Sequence, residues 1–305
     1  METISFDKVS KKYGEKTVTD SLSFSVKKAE IFGILGPNGA GKTTIIKQIM
    51  GLLVPDQGNI EVEGVDPKKD WRQIRAQIGL VPQETALYPE LSARLNLEYQ
   101  AALFLKSMKN AKKRIEYILE LVDLSARADD LVKEFSGGMK RRLAIGRALL
   151  HEPSIIILDE PTLGVDVQGS HKIWNYIKDL SQLGKTIVVT TNVMAEAEFL
   201  CTNTLIIDNG REIVVGSPKD LVNSLGKQEI RIEFEDSLTD EQAKRYLSDY
   251  RVINNKLIVK TDNGLKDLLL LSKGLPESIK IKTVELKKPN LDDVFLHYTG
   301  KSLRD

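Results

Sequence analysis

Two kinds of apolar pattern run along this chain of 305 residues. Short continuous runs at Ile31–Leu35, Ser154–Leu158 and Thr186–Thr190 are β-branched and apolar throughout, which predicts strands covered on both faces. Elsewhere apolar and polar positions alternate. Ile4 and Phe6, then Leu22, Phe24 and Val26, flank a turn at Gly14-Glu15-Lys16 and predict edge strands within residues 1–30. Ile60 and Val62 alternate with Glu61 and Glu63 after the turn Pro55-Asp56-Gln57-Gly58, and Ile78–Val81 reads as a further short strand just ahead of Gln83. From about Ser92 to Leu150 the spacing becomes helical, through Leu97, Ala101, Phe104 and Leu105, then Ile115, Ile118, Leu119 and Val122. The sum is an α/β domain over residues 1–217 with an antiparallel edge and a helical subdomain at about 88–150.

The pattern breaks at Gly216-Ser217-Pro218, and residues 218–227 read as a linker. Beyond it the periods predict a strand at Glu229–Phe234, a helix at Thr239–Leu247 and a strand pair across Asn254-Asn255. A helix at Leu265–Ser272 and a strand at Ser278–Val284 follow. That βαββαβ order predicts a small α+β, ferredoxin-like accessory domain over 228–305. A closing helix follows Pro289. Asn290 is placed to cap it, Asp293 sits three residues on, Gly300 is the stop, and Leu291, Val294, Phe295 and Tyr298 form one apolar stripe.

Composition narrows the class without naming a chemistry. With 41% apolar and 29% charged residues the chain is an ordinary globular protein of about two domains. Forty-four basic residues against 43 acidic ones leave a net charge of +1, so no global field recruits nucleic acid, and none is expected as a partner. The lone Cys201 forms no internal disulfide, which fits a cytosolic setting. The N-terminus lacks a basic, apolar leader pattern, and the apolar runs fall far short of the roughly 18–20 residues of a membrane helix. If the protein works at a membrane, another subunit supplies the spanning part.

Chemistry enters directly after the first buried strand. Gly36-Pro37-Asn38-Gly39-Ala40-Gly41-Lys42-Thr43-Thr44 matches G-x-x-x-x-G-K-[ST] between a strand and a helix predicted from Thr43 to about Met50. Glycines let successive backbone N–H groups turn inward around an anion, and the helix start adds its own free N–H groups and positive dipole end. Lys42 is the point charge for β- and γ-phosphates, and Thr43 the hydroxyl for Mg²⁺. The chain is thus expected to bind a nucleoside triphosphate in a phosphate-loop NTPase core. Ser154–Leu158 then runs into Asp159-Glu160, two carboxylates at the end of a buried strand, where open α/β sheets hold ligands. Asp159 is expected to hold Mg²⁺ and Glu160 to polarise the attacking water.

In order and spacing over residues 4–216 these motifs resemble the ATP-binding subunits of ABC transporters. Gln83 follows the phosphate loop, then come Phe135-Ser136-Gly137-Gly138-Met139, Asp159-Glu160, Leu163-Gly164-Val165-Asp166 and Thr190-Thr191-Asn192. The resemblance implies that Tyr13 stacks on adenine and that Gln83 touches Mg²⁺ and the attacking water. It implies that Ser136, Gly137 and Gly138 reach the nucleotide of another subunit, and that Asp166 lies at the dimer interface. With one phosphate loop and one signature, the chain is expected to dimerise on ATP, with itself or with a related subunit. The F-S-G-G-M-K-R-R-L variant and the tail Lys288–Gly300 are similar to ATPases of ABC-2-type exporters. This implies a separately encoded membrane permease as partner and a place on the cytoplasmic face of the membrane.

Two details test the resemblance. Lys140, Arg141 and Arg142 fall in the first turn predicted after the signature, where cations are disfavoured by about 0.3–1 kcal/mol each unless an anion is near. A γ-phosphate from another subunit would account for some of them, but residues at 100° steps cannot all meet it, so one or two belong to a solvated face. The family also has histidine after Thr190-Thr191, and here Asn192 stands there, shorter and never charged. Either hydrolysis is slow or the site relies mainly on Glu160. The alternatives to an exporter subunit are a soluble ABC ATPase uncoupled from transport and a low-turnover ATP-binding regulatory module.

Overall fold

The computed structural model describes residues 2–105, 108–226, 228–235, 250–253, 255–274 and 280–300. They group into two compact units, one reaching to Pro218 and one spanning Lys219–Gly300.

In the first unit, β1 (Glu2–Tyr13) and β2 (Lys16–Lys27) form a hairpin about Gly14, and β4 (Gln57–Val62) pairs with the other edge of β1. This antiparallel sheet buries Ile4, Phe6, Leu22, Phe24, Val26, Ile60 and Val62, the expected inward set. Rings of Phe6, Phe24 and Phe32 stack in series, with centroids 4.5 and 5.5 Å apart, and carry that face onto the second sheet.

The second sheet has the order β5-β6-β7-β3-β8-β9. Its members are β3 (Ile31–Leu35), β5 (Ile78–Val81), β6 (Ile155–Asp159), β7 (Thr186–Thr191), β8 (Asn203–Asp208) and β9 (Arg211–Gly216). The first five in that order are parallel and β9 closes the edge antiparallel to β8. Every residue of β3, β6 and β7 is buried, so these strands carry no outward polar row. Parallel pairing brings the carboxyl ends of β5, β6, β7 and β3 side by side, and the loops bearing Gln83, Asp159-Glu160, Asn192 and the phosphate loop leave from there.

Helices fill in around it: α1 (Lys42–Ile49), α2 (Trp71–Gln77), α3 (Ala93–Phe104), α4 (Met108–Leu121), α5 (Gly137–Ala148), α6 (Val167–Gln182) and α7 (Met194–Leu200). Helix α5 starts at Gly137, directly after Ser136, which caps it by accepting from the Met139 N–H at 3.2 Å.

The stretch 218–227, read as a linker, opens instead with a helix, α8 (Pro218–Ser224), which groups with the second unit from Lys219 onward. Pro218 is its first residue, where a missing N–H costs nothing and the fixed φ favours the helix. The second unit carries β10 (Gln228–Phe234), β11 (Tyr250–Ile253), β12 (Lys256–Thr261) and β13 (Ile281–Lys287) in the antiparallel order β11-β12-β10-β13. Its core holds Ile230, Ile232, Phe234, Leu257, Val259 and Leu271, the last from α9 (Gly264–Gly274). The helix expected at 239–247 lies outside the described residues. Strand β13 runs three residues later than the spacing predicts, so that Val284 and Leu286 pair with Ile232 and Ile230.

The closing helix α10 (Leu291–Thr299) has the expected capping box between Asn290 and Asp293 and a left-handed Gly300 after it. Leu291, Val294 and Phe295 are buried, but Tyr298, although on the same face, lies in the last turn of this short helix and is exposed. Among the described residues no helix is long and apolar enough to cross a membrane.

Candidate functional site

The loop between β3 and α1 is shaped by glycine where nothing else fits. A Cβ on Gly36 would lie 2.3 Å from the Ile207 carbonyl oxygen. Gly41 has φ of 112°, and its Cβ would lie 2.7 Å from the Val18 oxygen. Gly41 is also the residue that caps α1, and it brings no side chain to bond the first-turn N–H groups. These groups are therefore offered to a ligand, and the cradle fits an anion and not a side chain.

A cavity of about 320 Å³ opens there, lined by Val18, Asn38, Gly39, Gly41, Lys42, Thr43, Thr44, Gln83 and Glu160. Lys42 is buried. Its Nζ donates to the Gly36 and Pro37 carbonyls at 2.7 and 3.1 Å and lies 3.6 Å from Glu160 Oε1. Burial lowers the lysine pKa, and Glu160, then Asp159, pull it back up, so the neighbouring carboxylates help keep the ammonium charged. Gln83 Nε2 donates to the other oxygen of Glu160 at 3.3 Å. One carboxylate is thus held between the phosphate loop and the turn after β5.

Glu160 pays for that position with a left-handed backbone, φ 48°, rare outside glycine. Its N–H is fixed on the Thr190 carbonyl at 2.9 Å. Thr190 Oγ1 also donates to the Asp159 carboxylate, so β7 holds both acids from the neighbouring strand. Asp159 is buried beneath the cavity and does not line it.

The remaining sequence candidates lie further out. Tyr13 ends β1 with its side chain exposed, and Asn192 is half-buried directly after β7; neither lines the cavity. Gly36, Pro37 and Ala40 form the loop's underside, with Gly36 and Ala40 buried. Ser136, Gly137 and the half-buried Gly138 start α5, and Asp166 caps α6 by accepting from the Gly169 N–H at 2.8 Å. The two helix starts meet, since a Cβ on Gly137 would sit 3.2 Å from the Gly164 oxygen.

The basic residues after the signature do not behave as the sequence suggests. Arg141 is buried, and its guanidinium donates to the carbonyls of Pro82, Gln83 and Asp159. Arg142 donates to the carbonyls of Val122 and Asp123 and to the Asp123 carboxylate. Arg141 is turned inward, and Arg142 is half-buried at the surface against the chain that follows α4.

One buried acid was missed altogether. Glu196 of α7 is fully buried, accepting from Thr162 Oγ1 and Trp174 Nε1, both at 2.8 Å, and burial raises its pKa. It braces the turn after Glu160 against α6 and α7. Its place one turn before Leu200, on the helix face that also buries Ala197, was the available signal.

Residues 19–163 match the family described as ABC transporter, and residues 216–299 match the C-terminal domain described as ATP-binding protein DrrA1-3-like. The chain is 40% identical over 308 residues to the linearmycin resistance ATP-binding protein LnrL of Bacillus subtilis (strain 168), covering 98% of this chain and 99% of that protein. It is also 40% identical over 311 residues to the Nod factor export ATP-binding protein I of Paraburkholderia xenovorans (strain LB400), covering 99% and 98%. Among solved structures, an ATP-binding cassette described as a dimer in a post-hydrolysis state with ADP and Pi is similar at a TM-score of 0.63 and 28% identity. That match covers 70% of this chain and 98% of the other.

Proposed function

The chain belongs to the ATP-binding subunits of ABC transporters, in the exporter branch, and is an ATPase; from that premise we propose how its residues divide the work. The observation that carries the proposal is the single carboxylate of Glu160 standing between Lys42 and Gln83 at the mouth of the phosphate loop. Loop N–H groups at Gly39 and from Gly41 to Thr44, with the Lys42 ammonium, bind the β- and γ-phosphates. Glu160 accepts a proton from the water that attacks the γ-phosphorus, and Gln83 orients the carboxylate and the water. Tyr13 stacks on the adenine from the edge sheet.

Mg²⁺ fits the donors present. The Thr43 hydroxyl, the Gln83 amide oxygen and the Asp159 carboxylate are hard oxygen ligands. Among the described residues there is no cluster of three or more His, Cys, Asp or Glu that would cage an ion. A few protein oxygens with water and substrate phosphates completing the shell is the arrangement Mg²⁺ prefers. When bound it supplies charge neutralisation on the phosphate oxygens.

Ser136, Gly137 and Gly138 serve the nucleotide of a second subunit, identical or related, and Asp166 lies at that interface. The solved relative described as dimeric with ADP and Pi supports this arrangement. The two named relatives are a resistance and an export protein, which supports export through a separately encoded ABC-2-type permease, with this subunit on the cytoplasmic face of the membrane. Residues 228–305 form a ferredoxin-like accessory domain, for which the strand order β11-β12-β10-β13 speaks. Affinity purification from detergent-solubilised membranes tests the coupling: a six-helix permease should co-purify, and recovery of ATPase chains alone would break it. Asn192 favours a second reading, a low-turnover regulatory module. Steady-state phosphate release at saturating Mg-ATP separates the two.

A further inference from the structure

Arg141 is 3% exposed, in the second turn of a helix whose start reaches the surface. Its fork spans two chain segments. Nη1 donates to the Pro82 carbonyl at 2.6 Å and to the Gln83 carbonyl at 3.4 Å, and Nη2 donates to the Asp159 carbonyl at 2.6 Å. Burial lowers its pKa to about 10, against the pull of Glu196, Asp159 and Glu160, so it stays a cation at neutral pH. A buried cation on backbone carbonyls is costly, and a lysine would meet the need for charge with a single point. What only a planar fork does is hold the turn after β5 and the end of β6 at a fixed separation. Six residues on, Arg147 donates to the Ala86 carbonyl, so α5 grips the Gln83 loop a second time.

We propose that Arg141 is a positioning residue for ATP hydrolysis. Its guanidinium ties the signature helix α5 to the backbone of Gln83 and of Asp159-Glu160, so that the start of α5 and the hydrolytic carboxylate of the same chain move as one piece. The inference rests on the reading that Glu160 activates water. It extends that reading, because the signature end of α5 faces another subunit's nucleotide while Gln83 and Glu160 face the chain's own. Arrival of one nucleotide at α5 is thereby transmitted to the carboxylate that acts on the other. Placement of that carboxylate, and not nucleotide binding, is what the fork controls: none of the three carbonyls lies in the phosphate loop.

The test uses the purified full-length protein and measures phosphate release against Mg-ATP concentration for Arg141→Gln and Arg141→Lys. Both should lose about tenfold or more in kcat with KM within about twofold, since a small misplacement of a reacting group costs rate and not affinity. Lysine should not rescue, because it keeps the charge and loses the fork. Arg114→Gln is the control for a merely structural role. Arg114 caps the far end of α5 through the Leu149 and Leu150 carbonyls and touches neither Gln83 nor Asp159, so its kcat should stay within about twofold of the parent. If Arg141→Gln does not fold, Arg141→Lys alone decides. A kcat within twofold of the parent in the folded variants would overturn the proposal, as would equal losses in Arg114→Gln. Glu160→Gln measured alongside separates the two layers. If it turns over like the parent, the reading of Glu160 fails; if it is inactive while Arg141→Gln is fast, only the arginine tie fails.

Discussion

Two helices in the first unit start beside glycines, and they treat their first N–H groups in opposite ways. Helix α1 is entered through Gly41, which has no side chain to give it, and its own buried Lys42 and the Glu160 carboxylate from the end of β6 stand over the opening. Helix α5 is entered through Ser136, which bonds the Met139 N–H itself, and α6 beside it is closed by Asp166 on Gly169. The first start leaves its binding capacity to a ligand and gathers Lys42, Gln83 and Glu160 around it. The second bonds one of those groups, the Met139 N–H, within its own chain and displays Ser136 and Gly137 at the surface. On the proposed reading, a shared glycine-rich appearance therefore conceals two tasks, one a finished half of a site and the other a face made to be met.

Glu160→Gln breaks the finished half most severely. The amide keeps the shape and accepts from Gln83, but it takes no proton from water. Loss of a positioned base costs roughly 10²–10⁴-fold in rate. Mg-ATP binding should persist, and the variant should accumulate as an ATP-bound dimer on gel filtration. Turnover at the parental rate would assign the chemistry to another group.

Ser136→Arg strikes the displayed half. It should stop hydrolysis by about 10²-fold or more, since it moves reacting groups apart across the dimer, while nucleotide binding to the monomer stays near parental. Lys42→Ala does the reverse, weakening ATP binding by about tenfold to a hundredfold through loss of a charged hydrogen-bond partner. Mixing the two inactive proteins sharpens the contrast. In a symmetric dimer each mixed pair holds one site with both good halves, so activity should return to at most about a quarter of parental. No recovery at any ratio would mean that α5 does not serve a partner's nucleotide.

The sequence disclosed whatever is local. Continuous apolar runs located β3, β6 and β7, the glycine spacing located the phosphate loop, and Asn290 with Asp293 located α10, because each depends on neighbours within a few residues. What depends on distant segments was not legible. Arg141 looked like a first-turn cation in need of an anion, yet its acceptors are carbonyls, which every residue has and no side-chain pattern marks. The left-handed backbone of Glu160 was equally hidden, and the Thr190 carbonyl that holds its N–H belongs to a strand distant in sequence. Tyr298 fitted the helical period but fell past the buried part of a short helix. The linker expectation failed at Pro218 for a different reason: proline stops most structure and starts a helix only as its first residue.

Asn192 offers the smallest effect and the finest test of the finished half. It follows Thr191 at the end of β7, next to the strand whose end carries Asp159 and Glu160, and it is half-buried outside the cavity lining. Its backbone is well placed, because Thr191 Oγ1 accepts from the Val193 N–H at 3.0 Å and Thr190 holds Asp159. What it lacks is reach and charge: the amide is shorter than an imidazole and stays neutral as charge develops on the phosphate. A donor aimed at such charge is worth up to about 10²–10³ in rate when the site is built around it. This site is built around Glu160, Gln83 and Lys42, so only part of that is open to gain. Asn192→His should therefore raise steady-state phosphate release several-fold, about threefold to tenfold, with ATP affinity unchanged. Glu160→Gln in that background should remain inactive, because a histidine there holds phosphate and does not replace the base. An unchanged or lower rate would show that the half-site gathered around Glu160 is already complete without a donor from β7.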